Sequence, residues 1–509
     1  MNPTSDQTGT PAAHTLLDLL LHHPFPDDEP LVYSDSRSFT VADFRDAAAR
    51  LAERIRHAGV PSGSVVAAVL EGGPQQLIAM YASWMAGAVY MPCNARLTDP
   101  EIVQMLDEVT PALVIGPGAR LDSLGVRAGR IDAGPELDWT NMAAAVPTGQ
   151  TYDGDVALIM RTSGTTGRPK AVLLRHSGTL AGFDAILNRI RATSAGPATA
   201  RRNPTPNLIP VSLALWAGIY NSLFAFRVGA AVVLLDRFTT SGFVSTIQRF
   251  NIKSTVLAPA MINMLNEDPA VTDLAPLRFV RSITAPLRKE EAEKFYRQFG
   301  IAVLNSYGQT ELGGEVVGWT ASDARTFGSS KLGSAGRPHG GVEVKIRDPE
   351  GGVLDAGQSG EIWVHSPFVM RGYANSPDSM DGRLVDGYLR TGDLGHLDAD
   401  GFLWVHGRET DLINRGGLKV NPEEVEEVLR SHPDVADACV AGVTDRRLGE
   451  VPYAWIVPAG AFDPDTLTAW CRQQLAPYKV PVGFSIIDEI PRSEIGKVLR
   501  RNLGQSLTI

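Results

Sequence analysis

The sequence predicts an α/β protein. It has a large N-terminal domain of mostly parallel sheets covered by helices, with a β-rich subdomain, and a small, mobile α+β domain at the C-terminus. Apolar β-rich runs alternate with amphipathic helical patterns through the first two thirds of the chain, as in repeated βαβ units. From about Gly341, short strands separated by Gly and Asp turns replace this alternation. After Arg408 a compact α+β pattern begins.

The first two thirds supply both parts of the βαβ pattern. Continuous apolar runs of this length are typical of strands buried on both faces, and they are SVVAAVL (64–70), ALVIG (112–116), AAVVLL (230–235) and STVLA (254–258). Residues 41–58 and 290–299 carry amphipathic helical patterns. Residues 208–226 carry no charge over about the length that spans a bilayer. We expect a buried helix there, with GAAVVLLD behind it as a core strand, rather than a lone membrane span.

The last third predicts the remaining elements. VEVKIRD, GEIWVHS and GFLWVHG are expected to be strands of the β-rich subdomain, and VADACVAGV and VPYAWIVP strands of the small domain. VNPEEVEEVLRSH predicts a helix, and another is expected near 465–475, with Asp463 as N-cap and Pro464 at its first position. We therefore divide the chain into a polar, disordered tail (1–14), an N-terminal domain (15–408) and a mobile C-terminal domain (409–509).

Composition excludes several classes of protein. A chain of 509 residues, 44% of them hydrophobic, is too long for one ordinary domain. Its net charge of -10 argues against general affinity for nucleic acid or anionic membranes. Cys93, Cys439 and Cys471 lack metal-ligand spacing and are odd in number, so a reduced cytoplasmic protein fits best.

A nine-residue loop, TSGTTGRPK (162–170), has the chemistry of a phosphate site. Its glycines, Gly164 and Gly167, let backbone N–H groups turn toward a ligand. Its hydroxyls can donate to phosphate oxygens and its lysine can neutralise charge; these side chains are Thr162, Ser163, Thr165, Thr166 and Lys170. The loop matches neither the Walker A pattern nor the dinucleotide fingerprint. On these residues alone, phosphate binding is favoured over a plain surface loop.

The loop resembles the phosphate loop of the adenylate-forming superfamily of acyl- and aryl-CoA synthetases, peptide-synthetase adenylation domains and luciferases. Further segments resemble that family's motifs in order along nearly the whole chain: GAVYMP (87–92), NSYGQTE (305–311), YLRTGDLGHLDADGFLWVHGR (388–408), DLINRGGLKVNPEEVE (411–426), LAPYKVP (475–481) and PRSEIGKVLRR (491–501). The resemblance implies an enzyme that uses ATP and Mg²⁺ to join an acid to AMP, with release of pyrophosphate.

The resemblance also implies residue roles at the phosphates. The loop 162–170 would hold the β- and γ-phosphates. Thr310 would donate to the α-phosphate, and Glu311 would hold magnesium, which prefers oxygen ligands. Lys497 would bridge the acid and the α-phosphate as the catalytic lysine, offsetting charge in the transition state.

At the nucleoside end, the resemblance implies that Tyr307 stacks on adenine. Asp393 and Arg408 would bind the ribose. Taken singly, a turn aspartate and a solvated arginine would be the commoner explanations, but their shared motif favours the ribose. Further ATP contacts are implied for Thr284, Ala285, Pro286, Ser306 and Gly308.

The small domain of this family rotates between half-reactions. Thr410 stands at the hinge position, where the family usually has Asp or Lys. Its branched side chain is stiffer, so a slower or differently poised rotation is expected. Gly416 and Gly417 would line the acceptor tunnel for a pantetheine arm; the alternative is a plain turn.

The acid pocket departs from the family pattern. Leu215 stands where histidine or an aromatic residue is frequent, and Trp216 beside it supplies either an aromatic wall or core. Ile283 replaces a common glycine, and Gly313 completes the predicted pocket. Arg161 either pairs with a substrate anion, or is solvated or salt-bridged to an acid of the protein. These changes predict a smaller or more polar pocket than a fatty-acyl tunnel.

The leading hypothesis is an acyl- or aryl-CoA synthetase that activates a short or aromatic carboxylate and passes it to the CoA thiol. Two alternatives keep adenylation: a carrier-protein ligase, and an ATP-dependent diazotase that activates nitrite for an aryl amine. A non-catalytic AMP-binding protein is disfavoured by Lys497, Glu311 and Asp393. No nucleic acid or membrane partner is expected, and the chain is expected to be a monomer or homodimer.

Overall fold

Alternating strands and helices form the N-terminal two thirds of the fold, as the sequence predicts. The computed structural model describes residues 13–34, 37–134, 138–146, 150–162, 170–193, 203–285, 287–328, 330–374, 380, 382–492, 498–500 and 503. The α-helices described before the β-rich subdomain are Asp18–Leu21, Val41–His57, Pro74–Met85, Asp99–Val109, Gly118–Ser123, His176–Thr193, Trp216–Arg227, Thr240–Arg249, Pro259–Glu267, Lys289–Phe299 and Ala321–Phe327. The predicted α/β class is confirmed.

The largest sheet has eight strands. In spatial order they are Gly372–Tyr373, Lys170–Arg175, Val156–Thr162, Val89–Asn94, Val65–Leu70, Leu113–Gly116, Gly129–Ala133 and Trp139–Ala143. The five strands in the middle are parallel and the strands at both edges are antiparallel. Every residue of Val65–Leu70 is buried, which explains its continuous apolar run.

Two smaller sheets lie next in the chain. One contains Asn203–Ile209, Ala230–Leu234, Pro30–Tyr33 and Ser38–Thr40, and the other contains the parallel strands Ser254–Leu257, Phe279–Ser282 and Ala302–Asn305. The Thr255 hydroxyl donates to the Leu208 carbonyl at 3.2 Å and joins the two sheets.

The expectation of one buried helix over residues 208–226 is wrong in its first half. The strand Asn203–Ile209 occupies the start, and the helix begins only at Trp216. Both halves are uncharged because the strand and the helix are each packed in the core, so lack of charge did not distinguish one element from two. Among the described residues, no helix has the length and apolar character needed to span a membrane.

The β-rich subdomain contains the motif at 388–408. A three-stranded sheet contains Tyr307–Gln309, Gly314–Gly318 and Arg337–Pro338. A five-stranded sheet contains Glu343–Arg347, Gly360–His365, Tyr388–Leu397, Leu384–Val385 and Leu403–Arg408. The predicted strands are therefore present, and their antiparallel pairing fits the short Gly and Asp turns.

The C-terminal region forms its own α+β unit. Its sheet contains Leu418–Val420, Ile413–Arg415, Gly449–Pro458, Val435–Asp445 and Phe484–Ile486, and the helices Pro422–Arg430 and Pro464–Gln474 pack on it. Asp463 caps the second helix by accepting from two backbone N–H groups, as predicted. Thr410 lies exposed in the 3-10 turn Glu409–Asp411, between the last strand of the subdomain and this sheet. The domain boundary and the hinge remain predictions. Cys93, Cys439 and Cys471 are buried and unbonded.

Candidate active site

Asp393 is the centre of one group of predicted ligand-binding residues. Strand Tyr388–Leu397 pairs antiparallel with Leu403–Arg408, and the register places Asp393 directly opposite Arg408. The Arg408 Nε atom lies 2.9 Å from Asp393 Oδ1. The fourteen residues between them thus form a hairpin that joins the two predicted ribose ligands in one ion pair.

Tyr307 reaches the same carboxylate from another strand. Its hydroxyl donates to Asp393 Oδ2 at 2.8 Å, and Gln309 Nε2 donates to the same oxygen at 2.6 Å. Burial and the nearby Asp393 charge raise the pKa of Tyr307 well above its usual value, so the hydroxyl remains a donor. The structure therefore unites the motifs at 305–311 and 388–408, while stacking on adenine stays a prediction.

Glu311 lies in the 3-10 turn Thr310–Leu312 and is almost buried. Arg383 Nη1 lies 3.4 Å from Glu311 Oε1 and donates to the Tyr373 hydroxyl at 3.1 Å. Lys170 Nζ lies 4.7 Å from the centre of the Tyr373 ring. The end of the phosphate loop and the predicted magnesium ligand are thus joined through Tyr373 and Arg383.

Sequence reasoning missed Arg383. It precedes the motif that begins at residue 388, and the only signal was a basic residue close to that motif. Besides Glu311, its guanidinium group donates to the Thr391 carbonyl at 3.1 Å and lies 3.5 Å from Gln309 Oε1. Arg383 therefore positions both Glu311 and Gln309, and Gln309 in turn donates to Asp393.

The phosphate loop is described only at its ends. Thr162 ends one strand, Lys170 begins the next, and the two residues are direct partners in the ladder. The Thr162 hydroxyl is buried with no hydrogen-bond partner among the described residues, which fits a group reserved for a ligand. The remaining predicted ligands Ser163, Gly164, Thr165, Thr166 and Gly167, together with Pro286 and Lys497, lie outside the described residues.

Backbone geometry accounts for several other predicted site residues. Thr284 has a φ of 76°, which is rare for a branched residue and marks a strained position beside Ala285. A Cβ at Gly308 would lie 2.0 Å from the Gly314 carbonyl oxygen, and one at Gly313 would lie 2.1 Å from the Phe368 carbonyl oxygen. Close backbone contact is therefore enough to require these two glycines, and a ligand role for them stays a prediction.

Trp216, one of the predicted pocket residues, packs against a second aromatic ring. The rings of Trp216 and Tyr220 lie 5.5 Å apart on one helix, which Leu215 precedes. Ile283 is almost buried and belongs to the same core cluster as both rings. The structure thus places Trp216 in the core, and its role as a pocket wall stays a prediction.

Arg161 forms an ion pair with Glu108 of the helix Asp99–Val109. Alternate residues of a strand face opposite sides of a sheet, so Arg161 shares a side with Ile159. Ile159 packs with Cys93, in a different cluster from Trp216. This arrangement favours the salt-bridged alternative over a substrate contact.

Sequence reasoning also missed a buried acid. Glu315 Oε2 lies 3.1 Å from Arg281 Nη1, and Glu315 Oε1 lies 3.0 Å from His339 Nε2. Burial alone would raise the pKa of Glu315, but the Arg281 charge and the His339 hydrogen bond outweigh it and lower the pKa to about 2. No motif contains these residues, so only their contacts reveal them.

The predicted acceptor-tunnel glycines lie in a tight turn. Gly416 and Gly417 have φ values of 59° and 93° and connect Ile413–Arg415 to Leu418–Val420. The Gly417 N–H donates to Asn414 Oδ1 at 3.0 Å. The turn explains both glycines, and the tunnel stays a prediction.

Comparison with known proteins identifies the class. The profile of AMP-binding enzymes matches residues 22–374, and that of the AMP-binding enzyme C-terminal domain matches residues 424–497. The chain therefore belongs to the AMP-binding enzyme family, and it is an AMP-forming ligase. The membership predicted from the motifs is confirmed.

Individual relatives cover almost the entire chain. 2-Succinylbenzoate–CoA ligase of Bacillus subtilis (strain 168) is 31% identical over 94% of this chain and 95% of its own length. Feruloyl-CoA synthase of an Amycolatopsis species is 32% identical, over 91% of this chain and 93% of its own. The structure of O-succinylbenzoate coenzyme A synthetase from B. subtilis with ATP and magnesium has a TM-score of 0.81 and 29% identity, covering 96% of this chain and 99% of that one.

Proposed function

We propose that this ligase adenylates a small or aromatic carboxylic acid and transfers the acyl group to the thiol of CoA. In the first step, a carboxylate oxygen of the acid would attack the α-phosphorus of ATP. A new O–P bond forms as the bond to pyrophosphate breaks. In the second step, the CoA thiolate would attack the acyl carbon, and AMP leaves. The named activities of the relatives support both steps.

The observation that carries the proposal is the shared carboxylate of Asp393. Tyr307 and Arg408, from two separate motifs, both bind it. A carboxylate fixed in this way offers its oxygens to a pair of neighbouring hydroxyls, which is what a ribose presents. Tyr307 would then contribute its ring to the base, so one cluster would orient the whole nucleoside.

The donor set around Glu311 fits a magnesium ion that arrives with ATP. Among the described residues, no group of three or more His, Cys, Asp or Glu side chains could hold a metal. A single protein carboxylate plus phosphate oxygens is a common set for magnesium at nucleotide sites. When bound, the ion would neutralise phosphate charge, while Arg383 holds Glu311 in place and Lys170 adds a second cation.

Trp216, Tyr220 and Ile283 favour an acid with a flat or short apolar part. The two aromatic rings and the branched side chain supply apolar surface. A Cβ at Gly314 would lie 2.4 Å from Tyr220 Cε2, so the ring already fills the space beside that strand. We therefore expect a short or flat acid to be preferred over a long acyl chain.

Release of pyrophosphate from ATP across a panel of acids tests the proposal. We expect magnesium-dependent release with a small or aromatic carboxylate, and an acyl-CoA product by mass spectrometry once CoA is added. Lys497→Ala should lower adenylate formation about 1,000-fold while ATP binds within a fewfold of wild type, because it removes charge compensation at the transition state. Lys479→Ala, which removes a lysine paired with Glu424 in the same region, is the matched control. Unchanged adenylation by the Lys497 variant would refute that assignment.

A further inference from the structure

A network of charged side chains contacts the helix Trp216–Arg227, which carries part of the predicted acid pocket. Arg281 Nη1 donates to Glu315 Oε2 at 3.1 Å. Ser306, the residue before Tyr307, donates its backbone N–H to the Ser282 carbonyl at 3.1 Å. The strand that carries Arg281 therefore runs against the start of the predicted nucleoside-binding motif.

His339 lies between Glu315 and Arg189. Its Nε2 atom lies 3.0 Å from Glu315 Oε1, and its Nδ1 atom lies 3.3 Å from Arg189 Nη1. His339 thus links Arg189 to Glu315.

This network of side chains contains more basic than acidic groups. Asp323 pairs with Arg189 at 2.9 Å and with Arg337 at 3.1 Å. The members are three guanidinium groups, two carboxylates and one imidazole, from Arg189, Arg281, Arg337, Glu315, Asp323 and His339. Among these members the guanidinium groups outnumber the carboxylates, which favours an anion nearby.

Arg281 has more N–H donors than the contacts described for it use. A guanidinium group has five N–H donors, and the contacts described for Arg281 are one to Glu315 and a long one, 3.4 Å, to Asn221 Oδ1. Its side chain is 24% exposed, compared with 10% for Glu315. On the helix that carries Asn221, the ring nitrogen of Trp216 is buried without a partner among the described residues. Donors without acceptors thus flank the apolar wall.

We propose that Arg281 is a specificity-determining residue that binds a second carboxylate on the acid substrate, away from the carboxylate that is adenylated. The inference rests on the proposed adenylation. Glu315 and Asn221 fix the orientation of the guanidinium group, and its remaining N–H groups form a planar donor surface that suits a carboxylate. The named acids of the relatives include one with two carboxylates, 2-succinylbenzoate, and one with a single carboxylate, ferulate, so the family leaves this choice open.

The test compares matched acids on the full-length enzyme with ATP and magnesium. 2-Succinylbenzoate is paired with 4-oxo-4-phenylbutanoate, which lacks the ring carboxylate, and succinate is paired with butyrate. Wild type should prefer the diacid in at least one pair by about tenfold or more in kcat/KM, the effect of one charged hydrogen bond. Arg281→Met should remove that preference by raising the diacid KM about 10- to 100-fold, with the monoacid and ATP values little changed. Arg281→Lys should keep part of the preference.

A double variant separates specificity from folding. Arg281→Met leaves Glu315 buried without its cation, whereas Arg281→Met with Glu315→Gln removes both charges. The double variant should recover thermal stability yet still lack the diacid preference.

Three results would overturn the inference on Arg281 alone. These are a wild type that prefers the monoacid or neither acid in both pairs, a best acid in the wider panel with a single acidic group, or a preference that survives in the double variant. A wild type that releases pyrophosphate with no carboxylic acid of the panel, whether or not nitrite is active, would instead refute the proposed function.

Discussion

The predicted nucleoside side and the proposed acid side of the site are built in different ways. On the nucleoside side, Asp393 joins Tyr307 and Arg408, and all three belong to family motifs. On the acid side, Arg281 and Glu315 form an equally buried ion pair that belongs to no motif. Every reaction of the family uses the same nucleotide, so its ligands recur in sequence. The acid differs among relatives, so the residues that face it must be found from contacts.

The largest expected effect comes from breaking the nucleoside side. Asp393→Ala removes the acceptor for Tyr307, Gln309 and Arg408 and leaves that arginine without its partner. We expect kcat/KM for ATP to fall about 100- to 1,000-fold, because hydrogen bonds to a charged group are lost from a buried site. Initial rates of pyrophosphate release at varied ATP measure this, and the KM for the acid should change little.

Asp400→Ala is the matched control for that variant. Asp400 lies in the turn of the same hairpin, is about half exposed and pairs with Lys331 at the surface. It should retain wild-type kinetics. Equal losses in both variants would mean that hairpin integrity, rather than ribose binding, explains the effect, and the contrast between the two sides would fail.

The two sides also differ in how far the sequence predicts them. Apolar runs such as 64–70 and 230–235 located core strands to within a residue or two, because complete burial enforces an unbroken apolar pattern. The same rule failed at 208–226, where a strand and a helix are both buried and both uncharged. Hydrophobic periodicity cannot distinguish a strand from a helix when both are buried in the core.

Polar contacts inside the site were harder to predict than the strands. Asp393 and Arg408 were predicted because both belong to one motif that resembles the family's, and antiparallel pairing brings them together. Glu315 was missed because its partners lie 34 and 24 residues away along the chain. From the sequence alone, a charged residue in a strand is expected to face solvent. Burial is expected only when a partner far away along the chain is known.

The Arg281–Glu315 ion pair should affect the stability of the protein as well as its substrate specificity. Glu315→Gln leaves Arg281 in a partly buried site without its carboxylate, so we expect the free energy of unfolding to fall by about 3 kcal/mol at neutral pH. The folded pKa of Glu315 is about 2, below its usual 4.5, so this contribution is complete above pH 4.5 and is lost as the pH falls toward 2. Urea unfolding of both proteins across this range measures the difference, which should shrink on acidification.

Glu343→Gln controls for loss of a charge at the surface. Glu343 pairs with Lys345 and is more than half exposed, so its variant should unfold close to wild type at every pH. If Glu315→Gln lowered the free energy of unfolding as little as Glu343→Gln, the buried ion pair would not stabilise the protein, and it would not hold Arg281 in a fixed orientation. A difference that grows on acidification would contradict the low pKa.

The smallest expected effect lies between the two sides, at Arg383. Arg383→Met removes a partly buried cation that binds Glu311, Tyr373 and the Thr391 carbonyl. We expect kcat/KM for ATP to fall about tenfold, since one set of positioning contacts is lost while the predicted ligands remain. Arg390→Met is the control, because Arg390 follows closely in sequence but pairs with Glu361 and is more exposed. If Arg383 positions the predicted magnesium ligand, the deficit should depend on the magnesium concentration, whereas a merely structural arginine would give the same deficit at every concentration.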